Sequence, residues 1–264
     1  MLWHKTYSTD SSHEWIVLIH GAGGSSTIWH PQLRQFTSSH NVLILDLRGH
    51  GRSIEKNLPT LTSYTFKTLI DDVFSVLDSL KIDRAHFIGV SLGTLLIREL
   101  TYFYPDRVHS VIHTGAITEL DLRSKALIQF GHLAKSWIPF YTLYKLFAWI
   151  IMPGKAHRPA RELFKQQASQ ISQDEFLRWF ELTHSVDEVL ERFSNVDSLK
   201  PTLFIMGDQD HLFLHPVTKI VSRFESAELL VLDKCGHVCN IEKPEHFNKA
   251  VLEFIEKNRY HVKG

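Results

Sequence analysis

The chain has 264 residues, with 29 Lys plus Arg set against 29 Asp plus Glu, 44 % hydrophobic and 22 % charged residues, 17 His and only 2 Cys. Such ordinary usage excludes disorder, collagen and coiled coil, and the neutral balance excludes the basic footprint of a nucleic-acid binder. At about 150 residues per domain, the length fits one large α/β domain or one domain with a sizeable insertion, large enough to need neither disulfide nor metal.

From the amino end, Met1 to Tyr7 lack a basic start followed by an apolar run, so no secretory signal is expected and a cytoplasmic location is the default. Residues 14–20 and 41–47 are short, almost unbroken apolar runs that end beside glycine. Runs without polar alternation suit strands covered on both faces, as in a parallel sheet. Phe66, Leu69, Ile70, Val73, Leu77 and Leu80 recur three or four apart and predict a helix. A strand at 85–90, a helix at 92–104 and a strand at 108–114 follow.

The alternation then stops. Residues 118–195 read as helices only, with capping boxes at Ser172 to Glu175 and Ser185 to Glu188. The longest apolar stretch, 137–152, is interrupted by Pro139 and Lys145 and falls short of the roughly 20 residues of a bilayer span. No transmembrane segment is expected. Strands at 201–207 and 227–232 and a helix with Phe247, Val251, Phe254 and Ile255 on one face close the chain. The expected fold is a doubly wound, mostly parallel α/β sheet, with a core of residues 1–117 and 196–264 and a helical cap at 118–195.

Gly89-Val90-Ser91-Leu92-Gly93 stands between a predicted strand and a predicted helix, the setting that makes G-x-S-x-G a nucleophile elbow. The turn is too sharp for side chains at the flanking positions, hence the two glycines. A serine hydroxyl attacks poorly until a base takes its proton and a third group orients that base. Asp210, after the strand at 201–207, and His237, after the next one, follow in that order. Asp208 and Asp121 are the competing acids. An oxyanion formed at Ser91 needs backbone N–H donors, which the residue after the nucleophile, Leu92, and the glycine-rich loop at Ala22 would supply.

With His20-Gly21 at that loop, Asp46 to Ser53 after the next strand, the Ser91 elbow, Gly207-x-x-Asp210 and Gly236-His237, the sequence resembles the α/β-hydrolase superfamily over nearly its whole length. The resemblance implies Ser91 as nucleophile, His237 as base and Asp210 as acid, with Ala22 and Leu92 at the oxyanion, and gives the Asp46 to Ser53 loop, His50 included, a structural role. One departure stands out. The family usually opens with two strands before the oxyanion strand, and the 13 residues before Glu14 have room for one.

Serine rather than aspartate at the elbow selects acyl transfer to water over dehalogenase or epoxide hydrolase chemistry. The function expected is therefore hydrolysis of a carboxylic ester of a small, largely apolar molecule through an acyl-enzyme, as in carboxylesterases and monoacylglycerol lipases. Carbon–carbon bond hydrolases, acyltransferases and lyases share the triad, and a non-catalytic receptor on the same fold is a further alternative. No cofactor or metal is expected. Cys235 and Cys239 bracket His237, but that spacing does not suit structural zinc. Trp137, Phe140, Tyr141, Tyr144, Phe147 and Trp149 would line an acyl pocket, touch a lipid interface, or pack a lid helix. The partner is a small-molecule ester, and the chain is a monomer or homodimer.

Overall fold

A computed structural model describes residues 1–259 apart from 9, 11, 57, 60, 136, 196 and 198, and only the backbone of Phe193 and Asn195. The strands are β1 (His4–Tyr7), β2 (Trp15–Ile19), β3 (Asn41–Leu45), β4 (Ala85–Val90), β5 (Val108–Thr114), β6 (Thr202–Gly207) and β7 (Ala227–Leu232). They form one sheet in the order β1-β3-β2-β4-β5-β6-β7. Only β1 runs antiparallel, against β3. It is the single strand that the short amino-terminal stretch can hold.

The unbroken apolar runs are explained by burial on both faces. Val17, Ile19, Leu43, Leu45 and Phe87 join one core cluster, while Ile16, Leu18, Val42, Ile44 and Ile88 join the other. In chain order the helices are α1 (His30–Phe36), α2 (Phe66–Ser79), α3 (Leu92–Phe103), α4 (Leu122–Ala134), α5 (Phe140–Ile151), α6 (Arg158–Ala168), α7 (Gln173–Glu181), α8 (Val186–Asn195), α9 (Leu214–Val221), α10 (Cys239–Glu242) and α11 (Pro244–Asn258). Leu69, Ile70, Val73 and Leu77 of α2 and Leu96 and Leu100 of α3 cover the first face. Phe36 of α1 and Phe247, Val251 and Phe254 of α11 cover the second.

Helices α4 to α8 all lie between β5 and β6. The expected boundary at 195/196 touches Val196, which is outside the described residues. At α7, Ser172 Oγ accepts the Glu175 N–H at 3.1 Å. The Glu175 carboxylate accepts from Tyr64 Oη at 2.5 Å and Arg178 at 2.8 Å, so half of the capping box forms. The apolar stretch at 137–152 becomes helical only from Phe140, because Pro139 takes the extended N-cap position. No helix among the described residues is long and apolar enough to cross a membrane.

The chain reverses its winding at β2. Strand β3 is laid on one side of β2 and β4 on the other, with Ile19 opposite Gly89. Loops leaving β2 and β4 therefore part above the sheet, and a crevice opens at the carboxyl ends of these strands, where ligands bind in open α/β sheets.

Candidate active site

Ser91 sits at this switch point, as N-cap of α3, with φ 53° and ψ −121°. A non-glycine residue in this region is strained, and such strain concentrates at functional sites. The flanking glycines are sterically required. A Cβ on Gly89 would lie 2.6 Å from Ile97 Cδ1 and 2.8 Å from the Gly93 backbone, and one on Gly93 would lie 2.7 Å from the Ile19 carbonyl oxygen. Leu92 is the first residue of α3, so its N–H has no intrahelical acceptor and stands at the positive end of the helix dipole.

Asp210 and His237 meet across 27 residues: Nδ1 of His237 donates to Oδ2 of Asp210 at 2.8 Å, and both residues are buried. Asp210 Oδ1 accepts the Phe213 N–H at 3.3 Å, and the Phe213 ring packs on the imidazole with centroids 5.3 Å apart. The remaining ring nitrogen, His237 Nε2, is buried without a hydrogen-bond partner. The competing carboxylates are occupied elsewhere. Asp208 accepts the Cys235 N–H at 2.9 Å, and Asp121 caps α4 through the Ser124 N–H at 2.7 Å.

The loop after β2 is held from several sides. His20 Nε2 accepts the Leu47 N–H and His50 Nε2 accepts the Gly23 N–H, both at 2.9 Å. Burial pushes the His50 imidazole down to about 3, aided by the neighbouring His20, so it stays neutral and its Nε2 keeps the lone pair this bond needs. Asp46 accepts from Ser26 at 2.6 Å and Arg52 at 2.9 Å, which ties the Asp46 to Ser53 segment to the same loop. Of the loop glycines only Gly23 takes a positive φ, 72°. Gly21 serves close approach instead, since a Cβ there would lie 3.1 Å from that of Ser91.

The model of the alpha/beta hydrolase fold matches residues 14–244. The chain belongs to the α/β-hydrolase family. It is 30 % identical over 251 residues, 91 % of this chain and 93 % of the relative, to a RutD protein of Pseudomonas savastanoi pv. phaseolicola to which carbamate hydrolysis is ascribed. Among solved structures it is similar to a hydrolase from Pseudomonas aeruginosa PA01 (TM-score 0.81, 24 % identity, 96 % of this chain and 93 % of that one). It is also similar to the enol-lactonase from Burkholderia xenovorans LB400 (TM-score 0.78, 21 % identity, 97 % and 96 % covered).

In this hydrolase Ala22, Ser91, Leu92 and His237 share one cavity of about 210 Å³ with side chains of α5, α6 and α7. Phe140, Tyr144, Phe147, Ile151, Phe164 and Phe176 supply much of its wall, and among the described residues no Lys, Arg, Asp or Glu lines it. The aromatic segment thus divides. Phe140, Tyr144 and Phe147, at helical spacing, face the cavity, whereas Trp137 and Trp149 are exposed (89 % and 58 %). Cys235 and Cys239 are free and buried, and the Cys239 thiol is held neutral by Cys235 and by burial.

Four residues at the site carried no sequence signal strong enough to single out their role. Tyr144 Oη donates to the Ala22 carbonyl at 3.1 Å, and Trp179 Nε1 donates to the Arg48 carbonyl at 3.0 Å. Gly115, at φ 53°, leaves room for His237, whose Cε1 would be 3.0 Å from a Cβ there. Glu242 accepts from the Gly236 N–H at 2.8 Å and pairs with His157 of the β5–β6 helices at 2.6 Å, which steadies the loop carrying His237. A Glu six residues after Gly236 was the one cue available.

Proposed function

We propose that this α/β-hydrolase cleaves a carboxylic ester of a small, uncharged and largely apolar molecule through an acyl-enzyme, with residues 118–195 as the cap over the site. In the reading, Ser91 Oγ attacks the ester carbon while His237 Nε2 takes its proton, and Asp210 holds the imidazolium that results. The Ala22 and Leu92 N–H groups stabilise the oxyanion. Collapse of the tetrahedral intermediate breaks the ester C–O bond, and the leaving alkoxide takes the proton from Nε2. Water, deprotonated by the same nitrogen, then attacks the acyl carbon and frees the acid and Ser91.

The observation that carries this reading is the cavity. Its lining joins the elbow serine and a buried, unpartnered imidazole nitrogen to a wall that, among the described residues, holds no charged side chain. A carboxylate substrate would enter such a wall without a counter-charge, at a cost of several kcal/mol. That disfavours carbamate anions and the acidic substrates of carbon–carbon bond hydrolases. At about 210 Å³ the cavity falls below the roughly 300–1,000 Å³ of drug-sized ligand pockets, which favours short acyl groups.

A series of nitrophenyl esters of increasing acyl length tests the assignment. Turnover should be highest for short chains and fall at least about 10³-fold in Ser91→Ala, the scale of triad removal. Full activity in that variant, or turnover only with acidic carbon–carbon substrates, removes the proposal. A fluorophosphonate that fails to label Ser91 would favour the receptor reading.

A further inference from the structure

At the amino ends of the central strands, away from the site, the strand register gathers histidines that the proposed hydrolysis does not use. Trp15 is opposite both Asn41 and Ala85, and Ile16 is opposite His86. Glu14, one residue before β2, His40, one residue before β3, and His86, the second residue of β4, are therefore neighbours at the amino ends of three parallel strands. One donor atom from each of the three lies within 4.8 Å of the others. His86 lies five residues before Ser91, about 16 Å along the strand at 3.3 Å per residue.

We propose that Glu14, His40 and His86 form a binding site for a divalent transition metal ion, with zinc the best match. The donor chemistry is two imidazoles and a carboxylate, a set that suits Zn²⁺ better than the all-oxygen cages of Ca²⁺ or Mg²⁺. Bond lengths of about 2.0–2.2 Å in a tetrahedron put neighbouring donors about 3.4 Å apart. His86 Nε2 and Glu14 Oε2 are 3.6 Å apart, too far for a hydrogen bond and close to that edge length. Both atoms are buried without a hydrogen bond, Glu14 Oε2 having only ion pairs, and His86 as a whole is 3 % exposed.

The outer contacts match what metal-binding histidines use. His86 Nδ1 is bonded to Ser110 Oγ at 2.8 Å, and His40 Nδ1 to Ser39 Oγ at 2.9 Å. In each ring a serine hydroxyl engages Nδ1; with the proton on that nitrogen, Nε2 keeps the lone pair, the arrangement that fixes tautomer and ring plane at metal sites. Water would complete four ligands. The distance from Ser91 gives the ion no part in ester cleavage; it clips together the starts of β2, β3 and β4. One cation already competes there, since Arg259 Nε lies 3.3 Å from Glu14 Oε2 on a side chain 43 % exposed.

Chelator-treated, full-length protein titrated with ZnCl₂ in a calorimeter, and melted with and without Zn²⁺, tests the site. The wild type should bind at least one equivalent and gain about 5–10 °C in Tm at a metal concentration near a hundred times Kd. Glu14→Gln and His40→Asn should each lose one equivalent and the Tm gain. The partly exposed Glu14 makes the first of these variants safe for folding. His184→Asn, in the separate His132, Glu181 and His184 group, should keep that equivalent. Arg259→Gln should bind Zn²⁺ more tightly, because the competing cation is gone. No binding by the wild type, unchanged stoichiometry in both Glu14→Gln and His40→Asn, or weaker binding in Arg259→Gln overturns the proposal.

Discussion

Tyr144 reaches across from α5 to hold the Ala22 carbonyl at 3.1 Å, and its ring occupies the space that a side chain on Gly23 would need. Burial keeps its phenol neutral and able to donate. One neutral hydrogen bond is worth about 1 kcal/mol, which corresponds to about a fivefold rate factor. Tyr144→Phe should therefore lower kcat about fivefold with little change in KM, because in the proposed mechanism the loop it steadies acts on the oxyanion and not on the bound ester. Steady-state kinetics on a short nitrophenyl ester decides it; a change confined to KM would assign Tyr144 to substrate binding. The two nearby aspartates offer a sharper contrast. Only Asp210 meets His237, so Asp210→Asn should cost about 10⁴-fold in kcat. Asp208 holds a backbone N–H, so Asp208→Asn should stay within about threefold, the effect of one weakened exposed hydrogen bond. Similar losses in both would place the acid wrongly.

Helix α3 and the helices between β5 and β6 show how elements carry the site. A Cβ on Gly93 would press on backbone carbonyls of Ile19 and His20, which cannot move without shifting β2. Gly93→Ala should therefore lower stability by about 1–3 kcal/mol and reduce activity, both read from urea melts and turnover of the purified variant. The elbow was readable from sequence because its glycines and its strand and helix contexts are local. The strands were readable because β2, β3 and β4 bury both faces. Trp179 and Glu242 were not, since their roles depend on Arg48, 131 residues away, and on Gly236 and His157. The six aromatics of 137–149 form one group in the sequence, yet Pro139 separates Trp137 from α5 and the helical period turns Trp149 away from Tyr144.

For the whole molecule, the 17 histidines couple stability to pH through those the fold buries. Burial pushes His50 and His113 down to about 3, with His20 and Arg98 respectively adding to the effect, and burial also lowers His20. The folded chain keeps these rings neutral, while the unfolded chain protonates each near its ordinary value of about 6.5. Below that value the unfolded state binds more protons, so stability rises with pH. The contribution is fully present above about pH 6.5 and is lost as pH falls towards about 3. For His50 and His113 the loss between pH 7 and pH 5 is on the order of 2 kcal/mol each, a large part of the 5–15 kcal/mol typical of a domain. Urea midpoints should therefore drop clearly from pH 7 to pH 5, before most carboxylates titrate. His113 offers the cleanest control. Its Nδ1 has no hydrogen-bond partner and its ring rests on Phe204, so a leucine there removes the proton site without leaving a partner unsatisfied. His113→Leu should shift the absolute midpoint and flatten the pH 7 to 5 decline by about 2 kcal/mol. A decline of unchanged steepness in that variant, or none in the wild type, would show that buried neutral histidines do not set the acid limit of this hydrolase.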